Sequence, residues 1–297
     1  MLQFQPPGFG QRAIATSLGV VAYYTAVASP WCNQAIAAST RPTLLFLHSL
    51  GGGSSAYEWS KLYPAFAADF RIVAPDLIGW GQSTHLAKDY RAADYLTLIA
   101  ELIEALGSPP AAVFASSLTA GLLVRLAVQR PELFRQLILI CPSGYSDFGV
   151  DYRQGISAQL ARLPRLDQLI YRLGAANELA VRSVLQQFLF ANPGRVTPEM
   201  VSAFLCSAQQ LNADYAALAS LRGDLCFDLA RYIPQLTVPT VVVWGEKARF
   251  STLATGERLA RLNPTAIKAF HLVPDAGVLP HLEVPEAVVS LLTADLF

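Results

Sequence analysis

Apolar residues along this chain fall into two patterns that alternate: short uninterrupted runs and longer stretches with helical spacing. The runs Thr43–His48, Arg71–Pro75, Ala111–Ala115, Gln136–Ile140, Thr240–Trp244 and Ala266–Leu272 read as strands of a mostly parallel sheet covered on both faces. The segment Ile14–Tyr24 is β-branched and aromatic enough to supply an antiparallel edge, with Gly19 allowing a bend or bulge. Between the runs, Leu96, Ile99, Leu102, Ile103 and Leu106 line one face of a helix predicted over Tyr95–Leu106, which Gly107 closes. A second helix is predicted over Gly121–Arg130 with Pro131 as its stop. Pro285 opens a last one, at the first-turn position that tolerates proline.

The alternation breaks from about Gly144 to Pro234. Only helical patterns occur there, notably Leu179–Phe190 and the run that opens Thr197-Pro198-Glu199. Its large apolar residues recur at helical spacing, as in Leu185, Phe188, Leu189 and Phe204, Leu205, Ala208. The expected organisation is an α/β core domain of residues 1–143 and 235–297, with residues 144–234 inserted as a helical cap, or lid, over the ligand-binding end of the sheet.

Composition narrows the partners. The 297 residues carry 22 basic and 22 acidic side chains, a balance that argues against nucleic acid. Charged residues are 15% and hydrophobic ones 53%, against about 25% and 45–50% in typical domains. That surplus fits a deeply buried sheet and an apolar pocket for a small apolar molecule, and leaves peripheral membrane contact open. The apolar stretch Ala13 to Ala28 is shorter than the ~20 residues a bilayer requires, and no basic segment leads into an apolar run at the N-terminus, so no signal peptide is expected. Cys32, Cys141, Cys206 and Cys226 show no paired spacing and read as reduced thiols of a cytoplasmic protein. Without a phosphate loop, metal-ligand cluster or dinucleotide fingerprint, neither cofactor nor metal is expected. The oligomeric state is not legible.

One serine stands where chemistry could occur. Ala115-Ser116-Ser117-Leu118-Thr119 follows a strand and precedes a helix. A serine at such a turn has a strained backbone, an exposed hydroxyl and a helix N-terminus behind it, and the amide of Leu118 would face a developing oxyanion. The usual pattern is G-x-S-x-G; Ala115 suits it and the β-branched Thr119 does not. Upstream, Ser49-Leu50-Gly51-Gly52-Gly53 after a buried run can present a second oxyanion amide at Leu50. His48 reads as a structural hydrogen-bonder and Asp76 as the tie of its own glycine-bent loop.

Taken in order, His48–Gly52, Asp76–Ser83, Ala115–Ala120, Trp244–Ala248 and Gly277–Pro285 resemble the motif blocks of the α/β-hydrolase superfamily, in its branch with a helical cap. The resemblance covers nearly the whole chain and implies an α/β-hydrolase fold with Ser117 as nucleophile. It also implies where the rest of a catalytic triad should be. The acid falls at Ala248 and the histidine at Val278, so both are missing, although His281, Glu283 and Pro285 keep the last block in register. Two residues are candidate substitutes. His281 lies three positions past the needed one and is expected to face away from Ser117. Asp147 sits where some members place their acid, but an acid without a histidine restores no triad. Asp275 and Glu246 read as solvated, His85 and His271 as structural, and Tyr152, Tyr171 and Arg153 are the polar groups the cap offers.

Valine can neither take the serine's proton nor return it to a leaving group, and loss of the base costs on the order of 10⁶ in kcat in a serine protease. The leading expectation is therefore a degenerate triad: a protein that binds a small apolar ligand without hydrolysing it. The alternatives are an esterase-like serine hydrolase that uses Ser117, the two backbone amides and a non-standard base, and an interaction or scaffold protein. Whether the chain is an enzyme stays open at this stage.

Overall fold

The computed structural model describes residues 1–31, 41–107, 109–110, 112–163 and 166–296. Cys32 and Ala111 lie outside them. Eight strands follow in chain order: β1 (Phe9–Thr16), β2 (Gly19–Ala26), β3 (Thr43–Leu47), β4 (Arg71–Pro75), β5 (Ala112–Ser116), β6 (Leu137–Ile140), β7 (Thr240–Gly245) and β8 (Ile267–Val273). They form one sheet in the order β1-β2-β4-β3-β5-β6-β7-β8. The β1–β2 and β2–β4 pairs are antiparallel and the remaining pairs parallel. The expected edge is thus a full hairpin, longer than Ile14–Tyr24. Its turn falls at Ser17 and Leu18, with Thr16 opposite Gly19, whose φ of 124° makes it a turn residue rather than a bulge.

Every residue of β5, β6 and β7 is buried, which is why these strands read as continuous apolar runs. The helices flanking the sheet are α1 (Ala92–Ala105) and α2 (Ser117–Gln129), followed after an insertion by α8 (Leu253–Ala260), α9 (Pro280–Glu283) and α10 (Pro285–Leu296). Helix α1 starts earlier than its apolar spacing suggests, because the Asp94 carboxylate accepts the Arg91 amide at 2.7 Å and fixes the first turn. Along this helix Leu98 is buried and Leu96 is only half-buried.

Between β6 and β7 the described chain forms α3 (Ile156–Leu160), α4 (Leu166–Gly174), α5 (Glu178–Val184), α6 (Pro198–Ala208) and α7 (Ala213–Leu221), with no strand of the sheet among them. Helix α5 runs on into a π-turn over Leu185–Leu189. This insertion is hydrogen-bonded to the loops at the carboxyl ends of the strands. Ser207 Oγ donates to the Ser54 carbonyl at 2.8 Å, the Tyr57 hydroxyl to Glu199 at 2.9 Å, and the Val278 amide to the Leu189 carbonyl at 2.9 Å. These bonds hold the insertion against the loops that follow β3 and β8, and strand order reverses between β3 and β5, the kind of place in open α/β sheets where ligands bind. No described helix is long and apolar enough to cross a membrane.

Candidate functional site

Ser117 sits at the point where β5 gives way to α2, and its φ of 54° places it in the left-handed region. A non-glycine residue held there costs about 1–3 kcal/mol, so the surrounding packing must enforce it. Part of that packing comes from Thr119. Its hydroxyl donates to the His48 carbonyl at 2.7 Å, tying the first turn of α2 to the end of β3. A glycine could not make this bond, so the departure from the small-residue pattern is compensated locally.

The Ser117 hydroxyl lies 2.7 Å from the hydroxyl of Tyr145. Tyr145 stands in the loop after β6 with a φ of 60°, held by its amide donating to Ser143 Oγ at 2.9 Å. Its ring packs beside Tyr152, 5.6 Å between centroids, and meets Phe250 edge-on at 6.3 Å. Removal from solvent pushes the phenol well above its ordinary pKa range. At neutral pH Tyr145 therefore keeps its proton and can give a hydrogen bond but not take a proton away.

Ser117, Tyr145, Leu50, Leu118, Tyr152 and Val278 line one cavity of about 910 Å³, counting its open mouth. Leu118 falls in the first turn of α2, where backbone amides have no partner within the helix. Leu118 and Leu50 thus line the same wall as the serine. All four histidines are among the described residues, and none lines this cavity; nor, among the described residues, does any carboxylate.

Beneath the serine lies a carboxyl group that the sequence did not single out. Glu58, fully buried, accepts the Ser49 amide at 2.9 Å, Ser49 Oγ at 2.7 Å and Ser116 Oγ at 3.2 Å. Burial raises its pKa, against the pull of these hydrogen bonds. Ser54 Oγ joins Ser49 Oγ at 2.8 Å and accepts the Gly51 amide at 3.1 Å, so the glycine-rich turn is laced to the elbow through Glu58. His48 and Asp76 serve as the loop ties expected of them. His48 Nε2 accepts the Leu77 amide at 2.9 Å, and burial lowers its pKa to about 4. Asp76 accepts the amides of Ala56 at 2.7 Å and Gln82 at 2.8 Å, and burial raises its pKa to about 6.

Ala248 is buried in the turn after β7, where its amide donates to the Gly245 carbonyl at 3.1 Å. Val278 reaches the serine's cavity from the loop before α9. That loop is fixed by Glu283, which accepts the Gly277 amide at 2.7 Å, the Asn192 amide at 2.9 Å and Arg195 at 3.0 Å. His281 points elsewhere: its ring stacks on Trp59 with centroids 4.0 Å apart, and neither ring nitrogen has a hydrogen-bond partner. Burial lowers its pKa to about 3. Asp147 accepts Ser143 Oγ at 2.8 Å and the Leu229 amide at 2.9 Å, tying down the base of the insertion. Neither candidate substitute is brought to Ser117.

The remaining polar candidates have structural partners. His271 meets Asp295 at 2.8 Å and His85 the Gly81 carbonyl at 3.1 Å. Asp275 and Glu246 stand at the solvent-exposed surface, as expected, where Asp275 pairs with Lys247 at 2.6 Å and Arg195 at 3.0 Å and donates its own amide to Glu246. Tyr171 donates to the Ala208 carbonyl at 2.6 Å and Arg153 to the Gly223 carbonyl at 3.1 Å. Tyr145 is the polar residue that sequence reasoning missed. Its only signal is a tyrosine between glycine and serine, just after the Cys141-Pro142-Ser143 turn.

Comparison with known proteins agrees with this architecture. The model of the alpha/beta hydrolase family matches residues 44–291. Among curated relatives, an uncharacterized protein of Mycobacterium tuberculosis is 26% identical over 217 residues, 71% of this chain and 62% of that one. The chain thus spans less than two thirds of that relative's length. A 2-hydroxy-6-oxo-6-phenylhexa-2,4-dienoate hydrolase of Burkholderia cepacia is 27% identical over 245 residues, 79% of this chain and 80% of that one. The carboxylesterase CesB of Bacillus subtilis superposes with a TM-score of 0.75 at 19% identity, over 99% of this chain and 93% of that one.

Proposed function

The chain belongs to the alpha/beta hydrolase family, and from that premise we propose that it binds a small apolar ligand bearing an oxygen function and does not hydrolyse it. One observation carries the reading: the wall around Ser117 presents Tyr145 and Val278, and no imidazole or carboxylate. In this reading Ala248 and Val278 occupy the places of the triad acid and histidine, and residues 144–234 act as a cap over the site.

The chemistry of the wall supports binding over turnover. A serine hydroxyl attacks an acyl carbon only if a base takes its proton, and the leaving group needs a proton in return. A phenol whose pKa lies above its ordinary range cannot serve as that base at neutral pH. What the wall does offer is the paired hydroxyls of Ser117 and Tyr145, further hydroxyl residues in the lining (Ser49, Ser54, Tyr152 and Ser220) and the backbone near Leu50 and Leu118, groups suited to a carbonyl, ester or hydroxyl oxygen. The rest of the lining, such as Leu189, Phe204 and Leu279, suits a hydrocarbon body. Exposed apolar residues on the cap (Leu169 and Leu173 on α4, Leu179 on α5) would let it touch a membrane surface from which such a ligand is drawn.

A second reading, a serine-dependent hydrolase, is favoured by the strained φ of Ser117, because geometry of this kind is costly to keep without use. Oxyanion contacts and binding alone can retain about 10³–10⁴-fold over water. The deciding experiment is labelling with a fluorophosphonate, read by intact mass on the wild type and on Ser117→Ala. Binding without turnover predicts an unlabelled wild type. Rapid stoichiometric labelling that Ser117→Ala abolishes would establish the hydrolase instead.

A further inference from the structure

Ser117 follows the last residue of β5, whereas Arg71 opens β4 and Arg41 stands two residues before β3. Strand β3 runs parallel to both β4 and β5, so these two arginines lie at the opposite ends of the strands from the elbow. From there a hollow of about 1030 Å³, counting its open mouth, runs onto the β1–β2 hairpin, where Arg12, Tyr23 and Thr25 join its lining. It shares no lining residue with the cavity of Ser117.

The pairing register puts these polar groups on one side of the sheet. Arg12 lies directly opposite Tyr23, and Thr25 follows two residues on along β2, so all three leave the sheet on the same face. Tyr23 in turn lies opposite Pro75, four residues past Arg71, which gives Arg71 that face as well. Arg41 is held beside them by its Nη1, which donates to the Ala67 carbonyl at 3.0 Å and the Trp31 carbonyl at 3.5 Å.

Positive charge gathers here without compensation. Among the described residues no carboxylate lines the hollow or pairs with Arg12, Arg41 or Arg71, whereas Arg130, Arg195 and Arg222 each take carboxylate partners. Asp69, two residues before Arg71, is exposed and does not line it. Arg71 is half-buried, yet its guanidinium makes no hydrogen bond with a described residue, and neither do the hydroxyls of Tyr23 and Thr25. Gathering like charges raises the energy of each, and a multiply charged anion relieves it. Guanidinium forks match phosphate oxygens in geometry as well as in charge.

We propose that this hollow is a second binding site, for a small phosphate ester whose organic part rests on the half-buried Trp31. A carboxylate brings one negative charge, whereas a phosphate monoester carries about 1.5–2 at neutral pH and answers more of the arginines. A soluble ester and a phosphate-monoester headgroup at a lipid surface offer the same chemistry. The site stands apart from whatever happens at Ser117.

The test titrates the full chain with naphthyl phosphate by calorimetry at low salt, beside naphthalenesulfonate, which has the same ring and a single charge. The phosphate is expected to bind about tenfold tighter or more. Arg12→Gln and Arg71→Gln break no hydrogen bond of the described chain, so both should melt as wild type does, and each should weaken phosphate binding about tenfold. Arg261→Gln, after α8, should leave it unchanged. A second arm measures cosedimentation with phosphatidylcholine vesicles with and without phosphatidic acid. Binding of the free ester alone, lost in the two variants, makes the ligand soluble; phosphatidate-dependent sedimentation, lost in the same variants, makes it a headgroup. No phosphate binding in either arm, equal affinity for the sulfonate, undiminished binding in Arg12→Gln and Arg71→Gln, or an equal loss in Arg261→Gln would each overturn the proposal.

Discussion

The hydroxyls of Ser117 and Tyr145 face each other at 2.7 Å, and both residues hold left-handed backbones, with φ of 54° and 60°. Two strained turns, one after β5 and one after β6, thus aim two hydroxyls at the same point in the cavity wall. The hydroxyl of Tyr145 meets the serine directly, and the loop before α9 adds the apolar Val278 and Leu279. Because the phenol stays protonated, the pair acts as a neutral donor–acceptor couple.

Removing either hydroxyl should therefore weaken binding of a carbonyl-bearing probe. Ser117→Ala and Tyr145→Phe are each expected to lower affinity for 2-dodecanone by about three- to tenfold, the worth of one net hydrogen bond. The double variant should lose less than the product of the two, because the hydroxyls share one bond. A calorimetric double-mutant cycle measures this. Full additivity would mean that the two groups act independently, and no loss in either variant would take the head group away from this pair.

The position of His281 leads to a pH dependence whose sign can be worked out. Its unfolded-state imidazole titrates near 6.5, whereas burial against Trp59 lowers the folded value to about 3. Between these values the folded state binds fewer protons than the unfolded one. The contribution to stability is complete above pH 6.5 and is lost as pH falls toward 3. His281→Phe keeps a ring against Trp59 and removes the titration. Relative to wild type, the variant should gain stability below pH 6.5 by about 1.4 kcal/mol per pH unit. His48 and Asp76 titrate in both proteins and cancel in the difference. Urea titrations at pH 7.5, 6.0 and 5.0 test it, and a constant difference across the three would refute the assignment.

Thr119 should prove to be a structural tie rather than a tolerated misfit. Thr119→Val preserves shape and leaves the buried His48 carbonyl without its 2.7 Å donor. A loss of about 1–3 kcal/mol is expected, the cost of stranding a buried acceptor. Denaturant midpoints would reveal it; a neutral substitution would show that the elbow is held by other contacts.

Much of the fold was legible because its central strands are buried on both faces, so that Thr43–Leu47, Leu137–Ile140 and Thr240–Gly245 stand out as apolar runs whatever surrounds them. That Ser117, Leu50 and Leu118 come to one cavity wall follows from their spacing from strand ends. What stayed hidden depends on how loops fold back in space. Tyr145 reaches Ser117 because its own φ is 60°, and nothing in Gly144-Tyr145-Ser146 announces a left-handed tyrosine. Glu58 lies under the elbow because a short 3-10 turn over Ala56–Trp59 turns it inward, and in sequence it reads as a charge between two aromatic residues. The start of α1 was missed for a local reason, since one carboxylate three residues in overrides the apolar spacing.

The last expectation concerns the two positions where a triad is missing. If Ala248 and Val278 hold the places of the acid and the histidine, putting those residues back should restore reactivity at Ser117. Val278 already lines the serine's cavity on a loop that Glu283 locks in place, so an imidazole there starts from a positioned backbone. Ala248 is buried, and a lone aspartate there would be an unpaired charge costing several kcal/mol. Ala248→Asp alone should therefore destabilise the protein and activate nothing. Val278→His alone should give slight fluorophosphonate labelling, because the imidazole lacks the carboxylate that orients it. The double variant should recover stability relative to Ala248→Asp and label Ser117 at least about a hundredfold faster than either single variant, since triad members act as a unit. Adding Tyr145→Phe should raise the rate again by freeing the serine hydroxyl from its present partner. Labelling time courses by intact mass, set beside melting curves for the five proteins, decide the matter. A stable double variant that remains inert would mean that these positions do not converge on Ser117, and the degenerate-triad reading would then be wrong.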